Sequence, residues 1–120
     1  MTHHGARTAD RVRRVLAEAI QNELRDPRLG FVTLTDVRLS PDRRHAIAYV
    51  SILGEGSAAD SLKALESATP YLKRILARRA GLRHTPELRF VEDEVLERGM
   101  RIEELFQKLR NERQEPSDES

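Results

Sequence analysis

The chain has no cysteine and no tryptophan, and only 4% of its 120 residues are aromatic. Without thiols it forms no disulfide and offers no thiolate to a metal. Scarce aromatics argue against recognition by base stacking, the mode of RRM-type RNA binders. Long apolar runs are missing too, and nothing approaches the ~20 residues of a membrane-spanning helix. The opening MTHHGARTAD carries no apolar signal region, so a cytoplasmic location without membrane association is expected. Signatures of catalysis are equally absent: no P-loop, GxGxxG, GxSxG or HExxH occurs. The four histidines are His3, His4, His45 and His84, and no third metal ligand stands at recognisable spacing from the first pair. Asp36, one carboxylate in a strand, reads as structural. The expectation is a non-enzymatic protein with no catalytic residue, no cofactor and no metal site.

Charge is what the chain has in quantity. Charged residues make up 34% of it, yet the net charge is only +1. The two signs are unevenly placed. Basic residues outnumber acidic ones in the first thirty positions and again in 60–90, and the last thirty are acidic. Such asymmetry suits a basic face for an anionic partner and a solvated acidic tail. Arginines that simply solvate a surface would give the same count.

Apolar periodicity supplies the elements. Thr8 is placed to cap a first helix, after a flexible segment 1–7. Val12, Val15, Leu16, Ala19, Ile20 and Leu24 then form its apolar stripe. Asp26-Pro27 ends it, because proline drives the preceding residue out of helical geometry. Residues 31–39 read as a strand whose alternation changes phase: Val32 and Leu34 share one face, Val37 and Leu39 the other. A bulge near Asp36 reconciles both pairs with one core. Ser40-Pro41-Asp42 turns the chain into a second strand over 45–53, making an antiparallel hairpin tipped by Arg43 and Arg44. A short loop at 54–57 follows.

From 60 to 80 the apolar spacing is that of one amphipathic helix, yet Pro70 stands in its middle. Proline costs about 3 kcal/mol inside a helix but is favoured at the first helical position, and threonine is a good cap before it. Thr69-Pro70 therefore reads as a restart, with a second helix running to a Gly81 C-cap. A third strand follows at 87–92. Met100, Ile102, Leu105, Phe106 and Leu109 mark a short C-terminal helix, and 111–120 reads as a disordered acidic tail. The order is α-β-β-α-(kink)-α-β with that helix appended, an α+β fold in one domain of residues 1–110. A three-stranded sheet covered by helices on one face is its economical form. The type II KH-like fold, an RNA-binding architecture, has this order.

Three groups of cations are candidates for RNA contact. Helix 1 contributes Arg11, Arg13 and Arg14, crowded into first turns where the helix dipole disfavours them. The hairpin tip contributes Arg43 and Arg44. The third group follows the kink: Lys73, Arg74, Arg78, Arg79 and Arg83. A helix restarted at Pro70 would aim unpaired N–H groups at phosphate one turn before Lys73 and Arg74. Equally, Pro70 would merely bend the helix round the sheet.

Several separated segments make a more specific match. DPRLGFVTLTDVRLSPD (26–42), AIAYVSILG (46–54), LRHTPELRFVED (82–93) and ERGMRIEELF (97–106) closely resemble the ribosome-binding factor A family, over roughly residues 7–108. The resemblance implies a monomeric type II KH-like domain assisting late maturation of the small ribosomal subunit. It implies association with free 30S particles rather than 70S ribosomes, binding of 16S rRNA linked to its 5′-terminal helix region, support of 16S rRNA processing, and cold adaptation. It further implies a maturation GTPase that promotes release. The family writes its interhelical kink as Ala-x-Gly; Ala68, Thr69 and Pro70 occupy it here, and proline forbids the left-handed geometry open to glycine. The competing readings are a general KH-like RNA-binding domain acting outside the ribosome, and a protein-interaction module whose apolar groove docks a partner helix.

Overall fold

The computed structural model describes residues 3–53, 58–93, 104 and 106–112, with side chains from Arg7 onward. Helix α1 spans His3–Glu23, strand β1 Phe31–Leu39, strand β2 His45–Leu53, helix α2 Ala58–Arg79 and strand β3 Glu87–Glu92. Residues 106–112 form a further helical segment, α3. The expected loop at 54–57, the Met100, Ile102 and Leu105 positions of the C-terminal helix, and 113–120 of the expected tail lie outside the described residues. Asn111 and Glu112, assigned to that tail from sequence, are helical.

Helix α1 buries the expected stripe, with Val12, Leu16 and Ala19 fully inaccessible. It starts at His3, so Thr8 lies inside it rather than capping it. After α1 the chain turns on Asp26, whose carbonyl accepts from the Leu29 amide at 3.0 Å. The Asp26 carboxylate takes the Arg28 amide at 2.9 Å and the Arg28 guanidinium at 2.6 Å. Ser61 of α2 clasps the same turn, accepting from the Gly30 amide at 3.2 Å and donating to the Arg28 carbonyl at 3.3 Å. A Cβ on Gly30 would stand 3.2 Å from the Leu53 carbonyl oxygen, a tight approach that glycine avoids.

The Arg28 side chain and amide hold the Asp26 carboxyl at about 2, below its ordinary 3.8. A depressed folded-state value adds stability above the unfolded value, and that stability is lost as pH falls through the folded one. Asp26→Asn should therefore be less stable than the wild type above about pH 4. The difference should vanish below about pH 2, as urea titrations across that range would record.

Strand β1 pairs antiparallel with β2, and the register slips between Leu34 and Asp36. Thr35 is the extra residue; its hydroxyl bonds the Tyr49 carbonyl at 3.1 Å and the Asp93 carboxylate at 2.7 Å. The bulge brings Val32, Leu34, Val37 and Leu39 into one core, as the phase change required. Asp36 accepts from the Val37 amide at 2.8 Å and pairs with Arg38, so the strand carboxylate is structural. Strand β3 runs parallel to β2 on its other side, giving the order β1-β2-β3.

Two findings differ from the sequence reading. The sheet is covered on both faces. Ala46, Ala48 and Val50 meet α1 and α2, whereas Ile47 and Tyr49 point the other way and pack with Phe106 and Leu109 of α3. Strand β2 is apolar at nearly every position, the composition of a strand buried on both sides. Second, α2 is a single helix of 22 residues with Pro70 inside it, not two helices restarting at Thr69. The Thr69 hydroxyl donates back to the Leu65 carbonyl at 3.0 Å instead of capping a new helix. Packing explains the continuity: Ser61, Ala64 and Leu65 before the proline and Leu72, Ile75 and Leu76 after it are buried on the same sheet. Pro70 falls on the solvent side. Gly81, at φ 67°, ends the helix as expected.

Candidate nucleic-acid interface

The three groups of cations meet different fates. Arg11 faces inward along the surface, its guanidinium donating to the Ala80 carbonyl at 2.9 Å. That carbonyl lies at the negative end of α2, where a cation is favoured. Arg11 thus ties α1 to α2. Arg13 and Arg14 both reach Asp10, at 2.7 and 3.2 Å, and the Arg13 hydrogen bond is first among the causes that lower the Asp10 pKa. Because α1 begins at His3, these arginines sit in its middle, where the end effect of the dipole has faded.

The α2 group splits. Lys73 and Arg74 line an open groove of about 750 Å³ between α2 and β3, with Glu66, Thr69, Pro70 and Arg89. Lys73 lies 3.3 Å from Glu87, a half-exposed pair of little energetic weight. Arg74 makes no ion pair among the described residues; its guanidinium carbon stands 5.9 Å from the centre of the Tyr71 ring. Arg78 and Arg79 look toward the end of α1 instead. Arg79 pairs with Glu23 at 2.9 Å, and Glu23 also accepts from the Tyr71 hydroxyl at 2.5 Å. The hydroxyl first, and then Arg79, lower the Glu23 pKa.

The hairpin tip joins Arg83. Arg43, Arg44, Arg83 and His84 line a second groove of about 710 Å³ with Asp42 and Leu82. None of those three arginines makes an ion pair among the described residues. The tip is rigid for a loop: the Arg43 amide donates to the Ser40 carbonyl at 2.8 Å and the Arg44 amide to Asp42 at 3.1 Å. Arg43 has a φ of 62°, a conformation uncommon outside glycine. Both grooves reach Thr85 and Glu87, so they adjoin. Arg43, Arg44, Lys73, Arg74 and Arg83 therefore line two neighbouring grooves.

Arg89 and His84 were not singled out from sequence. The period-2 alternation of 87–92 sets Arg89 opposite Leu88 and Phe90 and was the available signal; for His84 there was none. Among the described residues no cluster of His, Asp and Glu could hold a metal ion, and no helix is long and apolar enough to cross a membrane.

A family model described as ribosome-binding factor A matches residues 4–106. The chain belongs to the ribosome-binding factor A family. It is 44% identical over 110 residues to the ribosome-binding factor A of Heliobacterium modesticaldum, covering 91% of each chain. The relative from Thermobifida fusca is 44% identical over 106 residues, 88% of this chain and 70% of that one. A crystal structure of the Thermus thermophilus factor superposes with a TM-score of 0.68 at 39% identity, over 73% of this chain and 93% of that one. A further Thermus thermophilus structure is a homology model fitted into a cryo-EM map of a 30S complex. It gives a TM-score of 0.62 at 40% identity, over 72% of this chain and 92% of that one.

Pro70 forms part of the wall of the α2–β3 groove. It has no N–H for the Glu66 carbonyl one turn earlier, and its ring crowds that carbonyl. Pro70→Ala restores the donor inside an existing helix. Its stability should rise by about 1–2 kcal/mol, less than the full host-peptide value because α2 already accommodates the ring. A thermal midpoint below that of the wild type would show instead that the native packing favours proline here.

Proposed function

We propose that this protein is an assembly factor of the small ribosomal subunit, binding 16S rRNA within immature free 30S particles and not translating 70S ribosomes. The observation that carries the reading is the pair of adjoining grooves lined by six cations, of which only Lys73 and Arg89 are engaged with a carboxylate among the described residues. Phosphate contacts dominate nucleic-acid affinity, and unengaged arginines are the groups that make them. Phe90, the aromatic residue lining the α2–β3 groove, is buried, so phosphate and shape take precedence over base stacking. The 30S partner is supported by family membership and by the related factor fitted into a 30S complex map.

The finer reading follows the family resemblance. The protein acts late in maturation, near the 5′-terminal helix region of 16S rRNA, and supports processing of that RNA and growth in the cold. It works as a cytoplasmic monomer and is released by a maturation GTPase. Sucrose-gradient cosedimentation with purified 30S and 70S particles tests the central claim. Recovery with 30S alone is expected. Equal recovery with 70S particles, or binding to unrelated structured RNA at equal affinity, would return the protein to a general RNA-binding role.

A further inference from the structure

Arg74 is the groove cation whose nearest partner is a ring rather than a carboxylate. Tyr71 lies one turn before it on α2, and the guanidinium carbon is 5.9 Å from the ring centre, within cation–π reach. That ring is held at both ends. Its body packs against the main core, and its hydroxyl donates to Glu23, the last residue of α1, at 2.5 Å. Glu23 is itself fixed by Arg79 at 2.9 Å. An arginine side chain loses considerable rotamer freedom when it is fixed, and a preoriented one loses less on binding.

We propose that Tyr71 is a positioning residue for RNA binding: its ring, bolted to the end of α1 through Glu23, holds the Arg74 guanidinium in place on the groove. A neutral aromatic is suited to this task because it orients the cation without neutralising it. A carboxylate in the same place would compete with phosphate for the guanidinium. The same chain of contacts accounts for Arg79, whose charge is spent on Glu23 rather than on the groove. The inference rests on the reading of the groove as the rRNA surface.

The test is a double-mutant cycle on affinity for free 30S particles, with wild type, Tyr71→Leu, Arg74→Ala and the double variant, each also melted thermally. Tyr71→Leu should weaken binding about two- to fivefold, the range expected of an exposed cation–π contact. In the Arg74→Ala background the same change should have no further effect on affinity, although most of its cost in thermal stability, which comes from the ring's core packing and its bond to Glu23, should remain. Tyr71→Phe keeps the ring and should retain more affinity than Tyr71→Leu. Arg74→Ala that weakens binding with an undiminished Tyr71→Leu effect in its background would overturn the positioning role, leaving the groove reading intact. No loss in Arg74→Ala would overturn the groove reading at this residue and the inference with it. A second measurement needs no variant at position 71. The Arg74 Nε–Hε NMR resonance of the wild type, assigned with Arg74→Lys, should be shifted upfield by the ring current, and an unshifted resonance would also refute the contact.

Discussion

Replacing Arg43, Arg44, Lys73, Arg74 and Arg83 together with alanine should weaken 30S binding about a hundredfold or more at moderate salt while leaving the fold intact. These side chains rim the two adjoining grooves, and Lys73 alone is spent on a carboxylate among the described residues. Exposed charges contribute about 0–1 kcal/mol each to stability, so the thermal midpoint should scarcely move. The salt dependence carries the sharper signature. Each lost phosphate contact should flatten the slope of log affinity against log salt by about 0.7–0.9. Arg13→Ala with Arg14→Ala is the matched control, since both already share Asp10, and it should cost far less affinity. Arg11→Ala should act on stability instead, because its guanidinium satisfies the Ala80 carbonyl at the end of α2. A five-residue variant that keeps wild-type affinity and slope would move the RNA surface off both grooves.

Phe106→Ala combined with Leu109→Ala should destabilise the protein by about 3 kcal/mol or more, the usual scale for truncating large apolar side chains in a packed cluster. For a domain of this size that corresponds to a fall of about 10–20 °C in thermal midpoint. The reason is the second face of the sheet. Ile47 and Tyr49 are fully buried there, and α3 supplies their cover through Phe106 and Leu109. Once uncovered they would expose a contiguous apolar patch, and a rise in dye binding or self-association should accompany the loss. A midpoint within two or three degrees of the wild type, by calorimetry, would show that α3 lies on the sheet without holding it. Phe106 and Leu109 line neither groove, so the folded fraction should bind 30S particles normally.

The local grammar of the chain was open to reading in one dimension. The α1 stripe, the hairpin turn on Ser40-Pro41-Asp42, the left-handed Gly81 at the end of α2 and the bulge beside Asp36 all followed from residue type and spacing. They did so because each is decided within a few residues, by side-chain periodicity or by a backbone angle that few residues adopt. The family was legible for a different reason: several segments agree with it in order and spacing across most of the domain.

Three matters were settled only when the elements packed. Pro70 stops a helix by local rules, yet burial of Leu65 on one side of it and Leu72, Ile75 and Leu76 on the other holds α2 in one piece. A local penalty of about 3 kcal/mol is smaller than what a turn of buried leucines and isoleucines contributes, so tertiary contact wins. The second covered face followed from α3 folding back over Ile47 and Tyr49, a long-range contact that no window of sequence spans. The third is the sorting of the cations. All ten candidates look alike as letters, but Arg11 was taken by a carbonyl 69 positions away and Arg79 by Glu23 of another helix. Charge composition counts arginines, whereas the free energy of meeting a phosphate depends on which of them the fold has left unengaged.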